Sequence, residues 1–331
     1  MEQVLSVPPS TMDWLVSHAE PSVRLLAMRD LQRRPAADAE RDLLRAEAHT
    51  RGPIAEILGA MDPAGFWVEP GPGYFPKYRS TVWSLILLAQ LGAPAACDGR
   101  VAMACRYVLD HSLTPAGQFT ASGAPSGTAD CLQGNLCRSL AALGCNDTRL
   151  AKAYEYIALA RGSDAPLRYY AAGKCGPVFC CGSNNKQPCA WGAVKVMAAF
   201  AEWPPERRTA LIQGAIDVGI DFLLSVDPST AAYPCGWGAK PSRSWWQFGF
   251  PVFYVTDVLQ IAEALVALGC GGDPRLAKLL ALIRSKQGSD GRWPLEYSYA
   301  GKTWGGFGAK GDPNPWVTLR ALRVLQQASA L

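Results

Sequence analysis

Apolar positions recur at intervals of three and four residues through most of the 331-residue chain, in stretches bounded by glycine, proline and aromatic clusters. That is the period of helices with one buried face, and not the alternation of strands. Five stretches share a layout in which a Gly-rich or aromatic loop leads into an apolar helix; they open at Ser80, Asp130, Cys189, Thr256 and Pro315. Three of them close on Leu-Gly, placing Gly92, Gly144 and Gly269 where a left-handed C-cap is expected. Second helices are predicted between them, over 98–111, 147–161, 205–226 and 273–285, so each unit reads as a helical hairpin. The first 61 residues predict further helices over 11–32, 37–49 and 54–61. One pair of these plus the five repeats makes about six hairpins, which bury their apolar faces only against neighbours. The expected fold is therefore all-α: a single α/α toroid over 1–331, with 1–61 completing a ring built from the repeats in 62–331. An open helical solenoid is the alternative.

Composition narrows the function. Hydrophobic residues make up 49% and charged residues 18%, a globular balance. The net charge of +4 is spread without any Lys/Arg run, so no nucleic-acid partner is expected. No apolar run reaches the length of a membrane span. The opening MEQVLSVPPSTMDW lacks the basic and apolar regions of a signal peptide, so a cytoplasmic location is expected. The 11 cysteines, an odd number, then read as thiols or metal ligands rather than a disulfide framework.

The loops carry a resemblance. Gln287-Gly288-Ser289-Asp290-Gly291-Arg292-Trp293 matches the Q-x-x-D-G-x-W repeat of squalene and oxidosqualene cyclases, and Asp62-Pro63-Ala64-Gly65-Phe66-Trp67 and Gly117-Gln118-Phe119 are weaker copies. Over roughly residues 50 to 331 the chain thus resembles the prenyltransferase/squalene-cyclase repeat superfamily, which implies a toroid whose inner helices point one set of ends at a central active-site cavity. It does not imply a reaction. Protein prenyltransferase β-subunits hold zinc with Asp, Cys and His; Asp130-Cys131 offers the first two, but no His follows. Class II terpene cyclases use Asp-x-Asp-Asp, whereas Thr128-Ala129-Asp130-Cys131 has a single Asp.

Candidate chemistry gathers at the openings of the inner helices. Cys131 and Cys189 hold equivalent positions in two repeats, where converging helix N-termini favour a thiolate. The stretch CGPVFCCGSNNKQPC, from Cys175 to Cys189, is too rich in glycine and cysteine for a helix. Thiolates bind Zn²⁺, so about one Zn²⁺ is expected, held by Cys131, Cys181 and Cys189 with Cys180 and Cys175 as substitutes. Cys97, Cys105, Cys137, Cys145 and Cys270 read as small buried apolar residues. Asp257 opens its helix in an aromatic setting and is a candidate acid/base or a plain N-cap. Asp130 carries the same two readings, or orients a neighbouring ligand. Arg79 and Lys186, with Lys77 and Lys195, are candidates for binding an anionic group or a developing oxyanion. Trp67, Tyr78, Trp191, Trp246 and Trp304 are candidate walls for a small apolar substrate, as are Tyr74, Trp245 and Trp293. The leading functional expectation is a zinc-dependent hydrolase of esters or phosphoesters. The alternatives are a terpene-cyclase-like or prenyl-transferring enzyme, and a binding protein with a structural Cys-rich zinc site.

Overall fold

Pro21 divides the predicted 11–32 helix. It lacks the N–H that a helix interior needs but suits a helix start, and the Glu20 side chain caps the new helix by accepting from the Ser22 N–H. The computed structural model, which describes residues 9–159, 177–238 and 240–329, accordingly contains two helices there, α1 (Pro9–Val16) and α2 (Pro21–Asp30). They are followed by α3 (Ala39–Thr50), α4 (Pro53–Gly59), α5 (Thr81–Leu91), α6 (Gly99–His111), α7 (Asp130–Ala142) and α8 (Arg149–Leu159). Then come α9 (Ala190–Glu202), α10 (Ala210–Leu223), α11 (Val258–Leu265), α12 (Ala277–Ser285) and α13 (Pro315–Ala328).

The pattern of each helix decides its layer. Helices α5, α7, α9, α11 and α13 are buried on nearly all sides, as at nine of the eleven residues of α5. Helices α6, α8, α10 and α12 bury one stripe, the mark of an outer layer. The inner helices pack in the order α2, α5, α7, α9, α11, α13, and α13 returns to α2. Arg323 on α13 pairs with Asp30 on α2 at 2.5 Å, and the Gln326 amide donates to the Leu31 carbonyl. Helix α1 packs on α2, and its Thr11 hydroxyl donates to the Gly291 carbonyl ahead of α13. The ring is therefore closed, and the fold is an all-α α/α toroid.

The three loops that resemble cyclase repeats are one device used three times. Asp62, Thr114 and Gly288 each donate a backbone N–H to the carbonyl four residues on, at 2.7 to 2.8 Å, and each accepts from the glycine three residues on. Those glycines, Gly65, Gly117 and Gly291, have φ of +97°, +93° and +81°, a region costly for any side chain. The turn aims Trp67, Phe119 and Trp293 into the core, all fully buried. Both indoles donate to a carbonyl ten residues back, Trp67 to Ile57 and Trp293 to Ile283. Both backbone N–H groups donate to a threonine at the start of the next inner helix, Thr81 and Thr318. The aromatic thus ties an outer helix, a turn and an inner helix together.

Departures from helix are local. The predicted 205–226 helix begins at Ala210, because the Thr209 side chain caps it by accepting from the Ile212 N–H. Two-residue strands, β1 (Cys180–Cys181) and β2 (Gln187–Pro188), form a small antiparallel hairpin in the cysteine-rich stretch. Asn185 and Lys186 turn it with positive φ. Among the described residues no helix is long and apolar enough to cross a membrane.

Candidate functional site

Two glycines bring the candidate chemistry together. A side chain at Gly134 on α7 would collide with the backbone of Lys195 on α9, and one at Gly192 on α9 would meet Asp130 Cβ at 2.7 Å. Without side chains at these points the two helices run close, and their N-terminal ends set Asp130, Cys131 and Cys189 side by side. These three line a cavity of about 670 Å³. Cys181 enters from the β-hairpin, Tyr74, Phe75 and Lys77 from the loop before α5, and Tyr254 from the loop before α11. Trp191, Tyr233, Cys235, Trp237 and Trp245 complete the wall.

Behind the Tyr254 wall of the cavity lies an aromatic plug in which Tyr78 packs on Trp83, Phe253 and Tyr299, with ring centroids 5.1, 5.4 and 4.6 Å apart. The N-termini of α7 and α9 line the cavity, whereas those of α11 and α13 lie elsewhere. Tyr78 belongs to the plug, and burial and its hydrogen bond with Tyr254 hold its phenol above the ordinary range.

The other candidates fall as follows. Asp257 lies away from the cavity, buried as the cap of α11: it accepts from the Gln260 N–H at 2.8 Å and pairs with Arg320 at 3.1 Å. Glu263 takes the other side of the same guanidinium at 2.9 Å. Trp67 is core. Trp246 donates its indole to Ser229, and Trp304 donates to Ser84 while Arg79 lies over its ring, so none of these reaches the cavity. Lys186 is exposed on the hairpin turn, and Cys180 does not line the cavity. Cys175 lies outside the described residues. Trp191 does wall the cavity, 6.3 Å from Trp245 and 6.2 Å from Tyr254. Lys77 sits at the mouth, its ammonium 4.8 Å from the Tyr254 ring centre.

Cys235 has no counterpart in the sequence reading. It stands in an irregular loop with no periodicity, and a staple places it. Asn184 donates to the Pro188 and Pro234 carbonyls at 2.9 and 3.1 Å and accepts from the Gly236 N–H at 3.0 Å. This ties the hairpin to the loop around Cys235. The Trp237 indole donates to the Ser183 carbonyl and adds a second tie.

The thiols are not equivalent. Cys181 and Cys189 share the cavity wall, and hydrogen bonding between them, with the backbone N–H groups of Ser183 and Asn184 close by, splits their titration. A sulfur that receives several hydrogen bonds keeps its negative charge readily, so Cys181 titrates below an ordinary thiol and Cys189 above. Burial, the Asp130 carboxylate and Cys181 push Cys131 up to about 11. Beneath it Lys195 is buried, hydrogen-bonded to the Gln260 side chain. Burial lowers its ammonium to about 7, against the attraction of Asp257.

The predicted zinc ligands Cys131, Cys181 and Cys189 therefore share one cavity wall. Among the described residues, however, no three His, Cys, Asp or Glu side chains are arranged to hold a metal ion.

No protein-family profile matches the chain, and no curated protein does. Among solved structures, a glycosyl hydrolase family 88 protein from Bacteroides vulgatus is similar with a TM-score of 0.49 and 11% identity, over 100% of this chain and 94% of that one. A superposition at this level assigns neither reaction nor ligand.

Proposed function

We propose that the chain is a hydrolase of an ester of a small, largely apolar molecule, with Cys181 as its nucleophile. The observation that carries this reading is the place of Cys181, on the wall of an aromatic-lined cavity beside Cys131 and Cys189, where hydrogen bonding with Cys189 lowers its thiol. A thiolate needs no separate base to attack. The Cys181 sulfur adds to the acyl carbon, and the ester C–O bond breaks as the alcohol leaves with the proton of Cys189. Water then cleaves the thioester. One of its protons returns to Cys189, the acid departs as a carboxylate with its other proton passing to solvent, and Cys181 is again a thiolate. The N-terminal ends of α7 and α9 add partial positive charge where the oxyanion develops. Trp191, Trp245, Tyr74 and Tyr254 hold the apolar part, and Lys77 meets a polar group at the mouth.

Zinc is the second reading, favoured by the three thiols on one wall. Bound there, it would activate water for attack on an ester or phosphoester. The thiolate takes precedence because hydrogen bonding with Cys189 already lowers the Cys181 thiol without a metal ion. A panel of p-nitrophenyl esters, phosphotriesters and prenyl diphosphates, run before and after verified removal of metal, separates the two. The thiolate reading expects ester hydrolysis that survives chelation and is abolished by iodoacetamide. Activity lost on chelation and restored by Zn²⁺ would overturn it in favour of the metal.

A further inference from the structure

A second thiol pair lies at the other end of α7. Cys105, on α6, is 2% exposed, and Cys145, in the turn after α7, is half-buried. The sequence reading treats both as small apolar residues, yet the fold sets them on the wall of one cavity. Hydrogen bonding with Cys105 and with the Asp147 backbone lowers the Cys145 thiol from its ordinary range. The turn is held firmly: the Cys145 N–H donates to the Leu140 carbonyl at 2.9 Å, and Gly144 is left-handed with φ +76°. Both cysteines line a cavity of about 440 Å³ that also takes in Arg106 and Asn146. At the rise of a helix, the length of α7 separates this pair from Cys131 by about 20 Å.

We propose that Cys105 and Cys145 form a modification site for small disulfides, independent of the hydrolytic reading. Arg106 and Asp147 line the cavity beside the two thiols, a pairing that suits a reagent carrying both a carboxylate and an ammonium group. The Cys145 thiolate attacks one sulfur of R–S–S–R, forming Cys145–S–S–R and releasing RS⁻. Cys105, on the wall of the same cavity, loses its proton to the released thiolate and attacks the Cys145 sulfur, expelling the second RS⁻. Two protein thiols are oxidised and one small disulfide is reduced to two thiols, and the product staples α6 to the end of α7.

The test treats the full chain with oxidised glutathione, quenches with acid, alkylates the remaining thiols and maps the peptides by mass spectrometry. The expected product is a linked Cys105–Cys145 peptide, forming about tenfold faster than adducts at the exposed Cys97 and Cys235. Cys105→Ser is expected to stop at a persistent glutathione adduct on Cys145. Cys145→Ser is expected to leave Cys105 unmodified. Adducts on Cys97 and Cys235 while Cys105 and Cys145 remain fully alkylatable would overturn the proposal, as would a Cys105→Ser protein that gains no adduct on Cys145.

Discussion

Gly134 on α7 faces the backbone of Lys195 on α9 so closely that a methyl group at position 134 would lie 2.2 Å from the Lys195 carbonyl carbon. The neighbour is backbone and has nowhere to turn, so any side chain there must push the helices apart. Because the N-terminal ends of these two helices present Cys131 and Cys189, their spacing sets the spacing of the thiols.

Gly134→Ala is therefore expected to destabilise the fold by about 1–3 kcal/mol, the usual range for overpacking. It is also expected to weaken the cavity chemistry beyond what lost stability explains. Urea titration gives the first quantity, and iodoacetamide kinetics at Cys181 under folding conditions give the second. An Ala variant with wild-type midpoint and thiol reactivity would contradict the close-approach argument.

Lys195 makes a second prediction, in pH. Its folded value of about 7 lies below the ordinary 10.5, so between these values the unfolded chain binds a proton the folded chain does not. Stability should rise with pH across that window; below about pH 7 the folded protein carries the buried cation. Lys195→Met is expected to stabilise the protein near pH 6 by on the order of a few kcal/mol, and by progressively less toward pH 10. Denaturation midpoints of both proteins across that range check the sign. An effect that grows with pH would contradict it.

Arg320 tests the standing of Asp257. The guanidinium is enclosed by Asp257 and Glu263, so Arg320→Met leaves one buried and one partly buried carboxylate uncompensated and is expected to cost about 3–5 kcal/mol. Asp257→Asn keeps the cap geometry and is expected to leave turnover within about twofold of wild type once folded protein is compared. A loss of a hundredfold or more with intact folding would return Asp257 to an acid/base role.

What could be read from the residues alone followed from periodicity. The apolar repeats and Leu-Gly ends mark the inner helices, and equivalent positions in two repeats single out Cys131 and Cys189 before any geometry is known. The Gln287–Trp293 loop is legible because its turn demands a particular glycine and aromatic spacing. Three things are not legible. The partner of Asp257 is Arg320, 63 residues away, and no local pattern announces it. Cys235 reaches the cavity through a staple from Asn184, some 50 residues off, within an aperiodic loop. The aromatic plug gathers Tyr78, Phe253 and Tyr299 from three loops, where no periodicity announces that they meet.

Acyl-enzyme trapping asks whether Cys181 is the nucleophile of this cavity. The protein is mixed with a p-nitrophenyl ester, quenched in acid within the first turnover, and its peptides are mapped by mass spectrometry. A nucleophilic Cys181 gives a burst of one p-nitrophenol per active chain and an acyl group on Cys181, with both lost in Cys181→Ala and retained in Cys235→Ala. Full-rate ester hydrolysis by Cys181→Ala would contradict it.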